Sequence, residues 1–95
     1  MNVKEYLEEL NPDVIFYEDM DDAIVGFYER DDKIVALYDT NKCIQCAMKV
    51  NGLPFDEASE HVYFNMINAY LGENNPAFAT LWSEDTVPHP PTATI

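Results

Sequence analysis

Three groups of residues in this chain have the types and spacing for chemistry. The first is Cys43-Ile44-Gln45-Cys46, a C-x-x-C run. At the first turns of a helix after a strand, such a pair is what a thioredoxin-like redox site uses, because the helix N-terminus stabilises a thiolate. It is also half of a zinc site. The other half is missing: there is no second C-x-x-C, and His61 and His89 are not at finger spacing. A redox site would also need a cis-proline partner and a βαβ core, for which the sequence gives no sign. Thiols filling small buried positions are the plainer account, and both are expected to stay reduced and metal-free.

The second group is Glu57, His61, Asn65 and Asn68, one polar stripe on an otherwise apolar helix. Glu57 and His61, four residues apart, suit an acid–base pair or two metal ligands. Catalysis needs a third group and a pocket, so a solvated helix face is the simpler reading. The third group is carboxylate: Glu18, Asp19, Asp21 and Asp22, then Glu29, Asp31, Asp32 and Asp39. Oxygen-rich loops bind calcium or magnesium, but the EF-hand spacing is absent, with no glycine at the sharp turn and no acidic twelfth position. Turn chemistry and solubility explain much of the cluster. The sharper alternative is a phosphate-like negative surface that occupies the basic cleft of a nucleic-acid enzyme. No P-loop, G-x-G-x-x-G or G-x-S-x-G motif occurs. No metal, cofactor or catalytic residue is implied.

The elements that position these groups follow from periodicity. Asp56 to Gly72 is the longest helical signal, with Asp56 as N-cap and Gly72 as left-handed stop. Its apolar residues cover well over half the circumference, which predicts an enclosed helix. Asn2 to Leu10 reads as a short helix with an Asn2–Glu5 capping box, ended by Asn11-Pro12. Asp13 to Glu18 is rich in β-formers and reads as a short strand. Ala23 to Tyr38 reads as a hairpin turning at Asp31-Asp32, with Tyr28 opposite Val35 and Gly26 opposite Leu37; a helix from Met20 to Arg30 is the alternative. One hairpin face then holds Ile24, Tyr28, Val35 and Leu37, the other Val25, Phe27, Ile34, Ala36 and Tyr38. Asp39 or Thr40 opens a second helix through Val50, closed by Asn51-Gly52. Residues 77–82 read as a last strand, and the Pro-rich residues 83–95 as an extended tail. The fold class is α+β: one domain over residues 1–82, a small antiparallel sheet of three or four strands, and two main helices packed on it.

Charge bounds the partners. Eighteen acids against five bases leave a net charge of −13 over 95 residues. Such a chain is repelled by nucleic acid and by anionic membrane and attracted to basic surfaces. The aromatic residues lack a basic patch beside them, so they read as core rather than as base-stacking platforms. The N-terminus has no basic n-region and no apolar h-region, and no apolar run reaches the length of a membrane span. A cytoplasmic protein is expected.

One further signal is a resemblance. Asp21-Asp22-Ala23-Ile24 leading into a strand, Tyr38-Asp39 before Lys42-Cys43-Ile44, and Phe64-Asn65 before Gly72-Glu73-Asn74 are together similar to a family of small acidic proteins encoded by tailed bacteriophages and prophages. The similarity spans about Asp21 to Phe78. Cys46 departs from it, since that family's second position in the cysteine helix is apolar. The resemblance transfers no activity. It implies a viral accessory protein in the cytoplasm of a bacterial host. The expectation is a non-catalytic protein that binds a host protein, as an inhibitor with a DNA-mimic-like acidic surface. The alternative is a small-ligand binder that captures a nucleotide signal as an oligomeric sponge. The hairpin's two apolar faces further suggest a homodimer or higher symmetric oligomer.

Overall fold

The computed structural model describes residues 1–82; the expected tail at 83–95 lies outside the described residues. The architecture is α+β, with a three-stranded sheet and three helices. Helix α1 (Val3–Leu10) forms where the capping box predicts. The Asn2 side chain accepts the Glu5 N–H at 2.9 Å, and Glu5 Oε1 accepts the Asn2 N–H at 3.0 Å. Leu7 is the residue of α1 that is fully buried.

The hairpin is strand β1 (Ile24–Arg30) and strand β2 (Lys33–Asp39). Asp31 and Asp32 are its two loop residues, with φ of 50° and 67°. Positive φ at both centres marks a type I′ turn, whose twist matches the flanking strands. Tyr28 pairs with Val35 and Gly26 with Leu37, as expected. A bulge between Ile24 and Gly26 then shifts the register, so Ile24 pairs with Tyr38. This corrects the expected face: Ile24 joins Tyr38 and Ala36 against the core.

Helix α2 (Thr40–Asn51) starts at Asp39, whose carboxylate accepts the Asn41 N–H, and stops at Gly52 in the left-handed conformation, φ 64°. Helix α3 (Phe55–Val62) is shorter than expected. Pro54, not Asp56, holds the cap position, and Asp56 sits in the first turn where the helix dipole favours a carboxylate. Residues Tyr63–Ile67 then widen into a π turn, closed by Asn68 N–H to Tyr63 O at 3.0 Å. The chain leaves the helix at Asn68, so Gly72 takes its positive φ of 102° in the following loop. The expectation of an enclosed helix is corrected as well. Ala58, Val62 and Met66 face the core at a spacing of four, while Phe64 and Tyr70 are 69% and 81% exposed.

Two strand expectations are corrected. Residues 13–18 form no strand. Val14, Phe16 and Tyr17 instead pack on the core, and the Tyr17 N–H bonds the Tyr38 hydroxyl at 2.9 Å instead of a neighbouring strand. The last strand, β3 (Ala77–Ala79), is short and pairs parallel with β2, making the sheet mixed rather than antiparallel throughout. The parallel pairing follows from the long α2–α3 crossover that separates β2 from β3. The sheet order is β1-β2-β3, so β2 is central and β1 is an edge. Asn11, buried beyond α1, ties the layers together: its amide donates to Ile34 O at 2.8 Å and to Asn74 Oδ1 at 2.9 Å.

Candidate functional site

The carboxylates are brought into two groups, not one. Asp21 and Asp22 form a single 3-10 turn leading into β1, just after Glu18 and Asp19. Glu29, Asp31 and Asp32 lie at the other end of the same strand. Seven residues at ~3.3 Å each set the two groups about 20 Å apart. All seven of these acids are exposed. Turn geometry explains three of them, because Asp19, Asp31 and Asp32 all have positive φ, which a short polar side chain tolerates. Charge compensation is thin. Lys4 reaches Asp21 at 3.1 Å, and Lys33 reaches Glu73, away from the acidic group, at 3.5 Å. Arg30 donates to the Asn75 carbonyl at 2.8 Å and lies 6.0 Å from the Tyr28 ring. Among the described residues Asp22, Glu29, Asp31 and Asp32 have no ion pair.

The cysteine pair sits where burial favours the protonated thiol. Cys43 is fully buried, and burial pushes its thiol up to about 12, with the neighbouring Cys46 thiol and Asp39 adding to the rise. Burial also raises Cys46, helped by Asp22 and opposed by Lys49. Both are free thiols. Burial thus favours the protonated thiol at both positions, the opposite of the thiolate stabilisation that a redox nucleophile uses. Among the described residues no group of three His, Cys, Asp or Glu is placed to hold a metal ion.

The polar stripe is partly assembled. His61 Nδ1 and Asn65 Nδ2 are 3.0 Å apart, and with Glu57, Glu60, Leu53 and Phe64 they border an open depression of about 260 Å³. Asn68 lies beyond the π turn and does not join them. Among the described residues no buried third group lines that depression. A second depression of about 260 Å³, which sequence reasoning missed, is lined by Lys42, Gln45, Cys46 and Lys49 of α2 and by Asp22. The spacing of Lys42 and Lys49, two turns apart on one helix, was the available signal. Sequence reasoning also missed the free edge of β1, because it gave the sheet no strand order.

Of the expected hairpin faces, the one bearing Val35 is less open than its composition suggests. Val35 is fully buried and Leu37 partly so. Arg30 shares that face and crosses β2 to reach Asn75. Among the described residues no helix is long and apolar enough to cross a membrane. Comparison with family models, curated proteins and solved structures finds no match.

Proposed function

We propose that this chain is a non-catalytic accessory protein that binds another protein through the acidic surface along β1. The observation that carries the reading is the pair of carboxylate groups at the two ends of one edge strand, largely without internal counter-ions, in a chain of net charge −13. Unpaired carboxylates on a rigid hairpin attract and orient a basic partner, and they repel nucleic acid. The protonated thiols and the incomplete polar stripe support a non-enzymatic role. The resemblance to phage-encoded proteins supplies the setting: a viral accessory protein whose partner is a host protein in the bacterial cytoplasm, with inhibition as the outcome. Self-association has less to draw on than the hairpin's composition suggests, since Val35 is already covered.

The second reading, a small-ligand binder, rests on the depression that gathers Lys42 and Lys49. Its volume of about 260 Å³ falls below the usual range of small-molecule sites, and Asp22 on its rim opposes an anion. Capture from host lysate, compared between the native chain and one with Asp19, Asp21, Asp22, Asp31 and Asp32 neutralised, separates the readings. Loss of a salt-sensitive partner in the neutralised chain supports the first. Unchanged, salt-insensitive capture would refute it.

A further inference from the structure

We infer that β1 is the docking edge for an extended, cationic segment of the partner protein, which joins the sheet as a fourth strand. This rests on the reading of the acidic surface as a protein-binding face, and it assigns that face a mechanism. The backbone comes first. In a type I′ hairpin the pair flanking the turn, here Arg30 and Lys33, exchanges hydrogen bonds, and bonded pairs then alternate. Tyr28–Val35 and Gly26–Leu37 are therefore the bonded pairs that follow. Phe27 and Glu29 point their N–H and C=O groups away from β2. Among the described residues, residues 25–30 make no backbone hydrogen bond outside the β1–β2 ladder. An open row of donors and acceptors is a template for another strand.

The side chains flank that row with apolar surface. Phe27 is 46% exposed and leans on Tyr6 with ring centroids 5.9 Å apart. Tyr28, on the opposite face, is 50% exposed. Beside it Gly26 leaves open space, with nothing within 4 Å of where a Cβ would stand. An incoming strand thus meets an aromatic ring on each face and a gap that admits a side chain of its own.

Charge selects the occupant. Asp21 and Asp22 lie at one end of the edge, and Glu29, Asp31 and Asp32 at the other. A second copy pairing antiparallel over the full strand would centre on Phe27. It would set Asp22 against the partner copy's Asp32 and Ala23 against its Asp31, with Asp21 alone meeting a base, Lys33. The turn carboxylates flanking the paired strands would then face one another in two chains each of net charge −13, so a second copy is disfavoured. A strand bearing Lys or Arg at its two ends meets carboxylates at both.

The test uses a blocked seven-residue peptide alternating lysine and valine as the probe, with the full ¹⁵N-labelled chain and amide exchange read by NMR. A glutamate–valine peptide and a Lys–Val peptide N-methylated at alternate residues are the controls. With the Lys–Val peptide, the Phe27 and Glu29 amides are expected to exchange at least about tenfold more slowly, while Gly26 and Tyr28, already bonded to β2, stay unchanged. Both controls are expected to leave exchange unaltered. Salt-sensitive binding that leaves Phe27 and Glu29 unprotected, and is equal for the N-methylated peptide, would overturn strand addition while leaving the acidic binding face standing. No binding of the Lys–Val peptide at low salt would overturn both. Protection of Phe27 and Glu29 in the protein alone, together with a dimer mass, would assign the edge to a second copy and overturn the cationic partner.

Discussion

At Asp31 and Asp32 two roles coincide, and they can be separated. Both residues hold positive φ, 50° and 67°, in the hairpin turn, and both carry charge at one end of the proposed docking edge. Replacing them together, Asp31→Asn with Asp32→Gly, removes two carboxylates and installs the pair best suited to a type I′ turn. Glycine at 32 relieves the left-handed strain but adds unfolded-chain freedom, a net gain of roughly 0.5 kcal/mol. Two carboxylates ~7 Å apart in water repel by roughly 0.6 kcal/mol before screening, and that also disappears. The double variant should therefore gain about 1 kcal/mol, which raises the melting temperature of a domain this size by roughly 4–8 °C. Thermal unfolding followed by circular dichroism measures it. The same variant should capture less partner at low salt, with the difference narrowing as salt rises. A destabilised variant would refute the turn geometry. A stabilised variant with undiminished low-salt capture would show that the charge at the hairpin tip plays no part in binding.

Other consequences are as direct. Tyr38→Phe leaves the Tyr17 N–H without its partner and should cost about 1–3 kcal/mol in urea unfolding, with Tyr28→Phe as a near-neutral control. Cys43 has a folded pKa of about 12 against an ordinary 9.0, so its contribution to stability is fully present below pH 9 and is lost as pH rises toward 12. Tyr38, raised from 10.0 to about 12 chiefly by burial, acts in the same direction. Urea midpoints from neutral to alkaline pH should therefore fall, and less steeply in Cys43→Ala. A gel shift with duplex or single-stranded DNA at moderate salt should show no complex, given the net charge of −13.

What could be read from the sequence was local. Asn2 and Glu5 close a capping box within one turn, and Asp31-Asp32 sets the hairpin register from two residues. Gly52 stops α2 by its own conformational freedom. What escaped depended on distant partners. Val14 to Tyr17 have strand propensity, but propensity names no ladder partner, and Val14, Phe16 and Tyr17 found the core instead. Helical periodicity over residues 56–72 could not reveal the π turn or the helix end at Asn68, and Phe64 and Tyr70 stand in solvent. The site shows the same division. The carboxylates were identified by type, yet their placement at the two ends of one free edge follows from the order β1-β2-β3.

That order gives the acids a second consequence. An unpaired strand of seven residues with half-exposed aromatics on both faces is an aggregation hazard, and proteins guard such edges with charge. Here the guard is mainly acidic, because Arg30 is drawn across β2 to Asn75 and Lys33 to Glu73. Mixed charges would discourage every incoming strand about equally. Carboxylates alone discourage strands like β1 itself while favouring cationic ones, so the same residues give protection against self-pairing and preference for a basic partner. The two effects should respond oppositely to salt. Screening weakens the attraction for a cationic strand and also weakens the repulsion between copies. Raising ionic strength should therefore lower the affinity for a Lys–Val peptide and, in the same titration, raise the apparent mass seen by light scattering. A mass that stayed flat while peptide affinity fell would mean that something other than charge keeps two copies of β1 apart.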